Sequence, residues 1–345
     1  KNERSDRTGF AHFFEHLMFE GTKNIPRHTI DKLIQEAGGR LNAFTSFDET
    51  GYQIQVPKNE LELALWIESE RMLHAVVNDV GVETQRKVVK EERANRYENA
   101  PYGTVLLNMA RYLGEGTPYE WTPIGEAQYI DLASIDEFRD FYKQFYVPNN
   151  AVLVIVGDID VERTKEMVES YFGDIARGAE IDRPDFSLTK GNGEIIQVIE
   201  EPQTPLPGLV WGYRTPASGE ADAYALEILA TVLARGESSR LYSTMVDERQ
   251  LALQATSFSL TMENGGLFGM LSIGRGDNSV FEQLGTAMNE IIDDVKAHGI
   301  TEREFEKARN QIETSTAGRF NSVLDKAQAL GQAVTFFDDD FAGRI

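Results

Sequence analysis

His12-Phe13-Phe14-Glu15-His16 sits inside a run, residues 10–20, whose apolar members Phe10, Phe13, Phe14, Leu17 and Met18 recur at helical spacing until Gly21. That periodicity predicts a mostly buried helix. On a helix, positions i and i+4 share a face, so both imidazoles can reach one ion. Glu15 follows His12 by three positions and adjoins His16. Its carboxylate can therefore reach a water on that ion without being a ligand. Zinc lowers the pKa of such a water toward about 7, and a carboxylate base completes the nucleophile. The order of residues is the inverse of the HExxH zinc motif. The chain holds only five histidines, and two of them fall in this window with a glutamate at the required place. The bland alternative, two histidines and an acid packed at a helix edge, is weakened by the Phe and Leu neighbours that embed the pair in apolar surroundings.

A catalytic zinc takes a third protein ligand, commonly a carboxylate. The helical pattern over 82–97 offers Glu83, Glu91 and Glu92. Glu92 shares a face with Gln85, Val88, Val89 and Arg96, whereas Glu91 shares one with Lys87, Ala94 and Asn95. The more buried face suits a metal, so Glu92 is preferred and Glu91 reads as a solvated helix charge.

Outward from the motif, residues 26–37 read as a second helix stopped by Gly38-Gly39. Residues 40–56 alternate as two antiparallel strands that bend near Asp48-Glu49. Helical patterns follow over 59–77, 134–145 and 161–171, with a buried strand expected at 152–156. Residues 173–193 carry Asp, Arg, Pro, Lys and Gly without periodicity and read as a linker, after which 194–199 opens a second unit as a strand. The second unit reads as a worn copy of the first. Residues 223–234 followed by Arg235-Gly236 stand where the first unit has 10–20 and Gly21, and Leu253-Gln254-Ala255-Thr256-Ser257-Phe258 echoes Leu41-Asn42-Ala43-Phe44-Thr45-Ser46. Similarity on this scale points to duplicated domains rather than a short solenoid repeat.

Length agrees, since 345 residues suit two domains of typical size. A composition of 41% hydrophobic and 26% charged residues is globular rather than disordered. Nowhere do eighteen apolar residues run together, so no membrane span is expected. The absence of cysteine excludes disulfides, thiolate-bound zinc and thiol catalysis. A formal net charge of −22 argues against nucleic acid, which needs clustered Lys and Arg. It reads either as a soluble surface or as an acidic chamber that gathers basic peptides. No signal peptide is visible, but the motif comes almost at once and the sequence stops abruptly at Gly343-Arg344-Ile345. It is therefore read as a trimmed chain. The compartment stays open, with periplasm or cell envelope ahead of cytoplasm.

The run Gly9-Phe10-Ala11-His12-Phe13-Phe14-Glu15-His16-Leu17-Met18-Phe19-Glu20-Gly21-Thr22 resembles the signature of the pitrilysin/insulysin (M16) zinc metallopeptidases. It is nearest the branch of the mitochondrial processing peptidase β-subunit and its bacterial relatives. Supporting blocks are Arg86-Lys87-Val88-Val89-Lys90-Glu91-Glu92-Arg93, Pro101-Tyr102-Gly103, Pro148-Asn149-Asn150-Ala151, Val156-Gly157-Asp158 and Ser238-Ser239-Arg240-Leu241-Tyr242, spread over nearly the whole chain. The resemblance implies an α+β fold of the M16/LuxS-like metallohydrolase type, with antiparallel-rich sheets, helices packed on them, and two tandem, topologically similar domains. On this chain they would be a zinc-bearing domain over 1–175 lacking its N-terminal strands, a linker over 176–193, and an inactive, C-terminally truncated duplicate over 194–345. It also implies Zn2+ held by His12, His16 and the second glutamate of the Glu91-Glu92 pair, with Glu15 as catalytic base. A peptide substrate would be enclosed in a chamber and bound along a sheet edge at Asn42, Ala43, Phe44 and Thr45 by strand addition, against the plainer reading of an internal strand.

One departure matters. Active relatives often carry an Arg and, seven residues later, a Tyr that polarise the scissile carbonyl; here those places hold Val246 and Leu253. Glu227, Ala230 and Thr231 stand where zinc residues would fall in the second domain. The expected protein is thus a metalloendopeptidase subunit whose Arg and Tyr come from a second M16-like half, as a heterodimer partner or a fused chain. The competing readings are a non-catalytic M16-like scaffold, which resembles the core subunits of respiratory complexes, and a structural-zinc binding module, in which Glu15 would be superfluous.

Overall fold

A computed structural model of the chain describes residues 1–188 and 193–337. In chain order the first elements are α1 (Phe10–Leu17), α2 (Ile30–Glu36), β1 (Arg40–Thr45), β2 (Thr50–Gln55), α3 (Leu61–His74), α4 (Asp79–Arg93) and α5 (Val105–Leu113). They are followed by α6 (Ala127–Leu132), α7 (Ile135–Phe145), α8 (Val161–Phe172), β3 (Gly208–Thr215), α9 (Ala221–Ala234), β4 (Ala252–Met262) and β5 (Gly265–Gly274). Three helices close the described chain: α10 (Phe281–His298), α11 (Glu302–Arg319) and α12 (Val323–Phe336). Every ladder among the described residues is antiparallel, and the class is α+β, as the sequence predicts. Packing groups the described residues into two compact units, one within Lys1–Arg93, Trp121–Pro184 and Arg319–Ile345, the other within Ala94–Glu120 and Asp185–Gly318.

In the first unit the apolar stripe of α1 meets α7. Phe10 and Phe13 stack on Phe138 with ring centroids 4.9 and 4.6 Å apart, and Phe14 stacks on Phe141 at 5.0 Å. Offset aromatic pairs of this kind contribute roughly 0.5–1.5 kcal/mol each beyond the area they bury. The β1–β2 hairpin packs through Leu41 and Ile54 on a cluster of Ile25, Ile30, Ile34 and Ile67. α1 begins at Gly9, whose φ of 88° suits glycine, and a Cβ there would lie 2.4 Å from the carbonyl oxygen of Ile124. With no side chain at that position to cap the helix, Glu3 caps it from outside, accepting from the Gly9 and Ala11 N–H groups at 2.8 and 2.7 Å.

In the second unit a three-stranded sheet of order β3-β5-β4 packs with α9 and α10 around Leu233, Leu241, Met245, Phe268, Leu284 and Met288. β5 is central although it contains four glycines among ten residues. At Gly269 the ring of Phe258 on β4 comes close to the backbone, and a Cβ would sit 2.4 Å from it. Arg240 ties α10 to α11, donating to both oxygens of Glu304 at 2.6 and 2.8 Å and to Asp294 at 2.8 Å. That guanidinium holds the Glu304 carboxyl down at about 2, from an ordinary 4.5. A depressed folded pKa means stability that is complete above the unfolded pKa and is lost as pH falls through the folded one. Arg240→Met should therefore lower the calorimetric Tm at pH 7, with the gap to the parent narrowing below about pH 4.5. A gap that stays constant down to pH 3 would show that the ion pair is not its source.

Two expected strands are absent. Residues 152–156, expected as a buried strand, form no ladder, with Val152 and Leu153 each 45% exposed. Residues 194–199 behave alike, with Ile196 at 78% and Val198 at 87%. A run of β-branched residues makes a strand only where a neighbour takes up its N–H and C=O groups, and among the described residues neither segment has one. The linker expected over 176–193 includes 189–192, which lie outside the described residues. The single helix expected over 82–97 is α4 followed by a π-type turn at Ala94–Glu98.

Candidate metal centre

Packing of Phe10, Phe13 and Phe14 on α7, with Leu17 buried on the same side, leaves the other face of α1 to His12, Glu15 and His16. α4 supplies the facing carboxylate. Its placement follows from bonds along its length: Gln85 donates to the buried Glu20 at 2.6 Å, Arg86 donates to the carbonyls of Ile130 and Ala133, and Arg93 donates to Gly125 and Glu126 at 3.1 and 2.9 Å. Val89 is buried, and Glu20 also accepts from Arg27.

Glu92 Oε2 then lies 3.6 Å from His12 Nε2 and 3.2 Å from His16 Nε2. One donor atom from each of the three residues fits within 4.8 Å of the others. Zinc bonds of about 2.0–2.1 Å at tetrahedral angles set neighbouring donors about 3.3 Å apart. The donor set and its spacing thus fit a zinc ion with three protein ligands and a fourth position open, and among the described residues this is the one such cluster. Hydrogen bonding to His12, then to His16, holds the Glu92 carboxyl well below the usual carboxylate range, so it stands ready as an anion. Glu83 and Glu91 are exposed, and Glu83 pairs with Arg86 at 3.1 Å.

Glu15 is not in the cluster. Its Oε2 accepts a hydrogen bond from Thr45 Oγ1 at 2.6 Å, so the C-terminal end of β1 reaches the motif helix. Asn42, Ala43, Phe44 and Thr45 pair with Gln53, Tyr52, Gly51 and Thr50 of β2. Among the described residues β2 is the only ladder partner of β1, which leaves the other edge of β1 without one. Behind the hairpin, Tyr52 and Tyr146 share a 2.6 Å hydroxyl contact, and burial pushes the Tyr52 hydroxyl up and the Tyr146 hydroxyl likewise. The second unit offers no polar group at the two departures: Val246 is buried in its apolar core and Leu253 is 49% exposed on β4. Ala230 and Thr231 are buried, and Thr231 Oγ1 donates to the carbonyl of Glu227. Sequence reasoning missed Glu3, Glu20 and Thr50, whose partners become neighbours only in the fold.

Residues 1–113 match the family model of insulinase (peptidase family M16), and residues 133–312 match that of the peptidase M16 inactive domain. The chain belongs to the M16 peptidase family. This M16 chain is 30% identical over 329 residues to the zinc protease PqqE of Helicobacter pylori, covering 95% of the chain and 74% of that protein. It is 27% identical to the uncharacterized zinc protease YmxG of Bacillus subtilis, covering 96% and 79%. Among solved structures, a protease from Helicobacter pylori aligns with a TM-score of 0.91 at 28% identity, over 99% of this chain and 84% of that one. The first half of the periplasmic protease PqqL from Escherichia coli aligns at 0.76 and 20% identity, over 99% and 78%, a likeness of fold. No helix among the described residues is long and apolar enough to cross a membrane.

Proposed function

We propose that this M16 chain is a zinc-dependent endopeptidase subunit acting on unfolded or short peptides. The observation that carries the reading is the meeting of His12, His16 and Glu92 within reach of one ion, with Glu15 next to His16 in sequence but outside the donor set. Zinc, when bound, supplies Lewis acidity at the scissile carbonyl and acidifies the attacking water. His12, His16 and Glu92 would hold it. Glu15 takes the water's proton and can return it to the leaving amine, which needs a carboxylate positioned near the metal but not committed to it. The free edge of β1 binds an extended peptide through the backbone of Asn42, Ala43, Phe44 and Thr45, with little demand on side-chain identity. With Val246 and Leu253 apolar, donors for the developing oxyanion come from a second M16-like half. That PqqL is described as having a first half, and as periplasmic, supports a two-half assembly and an extracytoplasmic setting.

Metal analysis together with hydrolysis of a quenched peptide tests the reading. His16→Ala and Glu92→Gln should each drop zinc below one per chain, while Glu91→Gln keeps it stoichiometric. Full zinc in Glu92→Gln with loss in Glu91→Gln would reassign the third ligand. One zinc per chain without hydrolysis, even with a complementing half, would leave a scaffold.

A further inference from the structure

The hairpin that offers its backbone edge to a peptide also reaches inward. Strand alternation puts Leu41, Ala43 and Thr45 on one face of β1, and Leu41 on that face packs on the isoleucine cluster, so Thr45 looks into the unit. Its hydroxyl donates to Glu15 Oε2 at 2.6 Å. A threonine hydroxyl has one proton to give. Once Thr45 spends it on the carboxylate, the 3.3 Å contact between the Thr45 and Thr50 hydroxyls can only run from Thr50 to Thr45. The two threonines are the last paired residues of the hairpin. The turn beyond them is pinned, with Ser46 N donating to the Glu49 carbonyl at 2.8 Å and Ser46 Oγ accepting from the N–H groups of Asp48 and Glu49. Hairpin register therefore delivers a chain of hydroxyls, Thr50 to Thr45 to Glu15.

We infer that Thr45 is a positioning residue: its hydroxyl, backed by Thr50, fixes the Glu15 carboxylate by Oε2 and leaves Oε1 to receive the proton of the attacking water. This rests on Glu15 being the base, as proposed above, and it gives the Thr45 side chain a role separate from the peptide-binding backbone of β1. A charge-assisted hydrogen bond of this length restrains a carboxylate more strongly than a neutral one. The Glu15 side chain would otherwise sample several rotamers, few of them facing the substrate.

Two measurements test it, one independent of metal and activity. In metal-free protein labelled with 13C at the glutamate carboxyls, the Glu15 resonance is assigned by its loss in Glu15→Gln. Thr45→Val, which keeps the shape and loses the hydroxyl, should move that resonance at neutral pH, Thr45→Ser should return it, and Thr50→Val should move it less. An unmoved resonance in a folded Thr45→Val protein overturns the inference. In the active preparation Thr45→Val should lower kcat about tenfold or more with KM and zinc content unchanged, the size expected for loss of a hydrogen bond to a charged group, and Thr45→Ser should recover most of it. A raised KM at unchanged kcat would instead make the hydroxyl a peptide contact and sink the positioning role. Undiminished hydrolysis in Glu15→Gln is a different failure: it removes the base assignment while the carboxyl resonance still reports whether Thr45 holds Glu15.

Discussion

Glu15→Gln should leave zinc at one per chain and reduce peptide hydrolysis by about 10²–10⁴-fold, the span that a positioned general base contributes. The amide keeps the size of the carboxylate and can still accept from Thr45 Oγ1 through its carbonyl oxygen, so the hairpin and α1 should stay in place. What it loses is the ability to take a proton. Because Glu15 lies outside the cluster of His12, His16 and Glu92, metal content and Tm should match the parent, which separates this variant from His16→Ala. The comparison is made on the most active preparation, the chain alone or with its complementing half. Contaminating peptidase is excluded by chelator sensitivity and by the identical purification of both proteins. Rates within a few-fold of the parent would mean that some other group accepts the proton.

What the sequence reveals, and what it hides, divides along the range of the interactions. α1, the β1–β2 hairpin and α10 are legible because each has an uninterrupted apolar period set by neighbours three, four or two residues away. β3 and β5 are not, because Gly208, Gly212, Gly265, Gly266, Gly269 and Gly274 read as punctuation, while in the fold glycine at 269 makes room for the Phe258 ring. Residues 152–156 and 194–199 fail in the opposite sense. Their residues are rich in Val and Ile, but a strand is a property of a pair. At the site, helical periodicity marks the donor-bearing faces of α1 and α4, though not for every reason first given: Val88, taken as part of the buried face with Glu92, is 42% exposed, and Gln85 and Val89 form that face. No local pattern marks Glu3, which caps α1, or Thr50, which backs Thr45, since their roles rest on polar contacts with residues from other elements.

Purified alone, this chain should be folded, zinc-loaded and nearly inactive. The nucleophile's parts are all in the first unit, where His12, His16 and Glu92 cluster and Glu15 lies on the same helix as the two histidines. The charge that develops on the scissile carbonyl oxygen needs its own donors, and the two positions at which active relatives place Arg and Tyr hold Val246, sealed in an apolar core, and Leu253, an exposed aliphatic side chain. Neither can donate a hydrogen bond. Loss of one such donor typically costs about 10²–10³ in kcat, so a subunit without either should lie at least that far below its assembled form. Adding a second M16-like half that carries Arg and Tyr should restore hydrolysis in proportion to complex formed, with zinc content unchanged. Changing that Arg to Met or that Tyr to Phe should remove the gain while leaving association intact, as sedimentation would show. Zinc polarisation alone makes the rival forecast. If it suffices, the isolated chain turns over robustly with one zinc per chain, the added half changes nothing, and the two-half reading fails.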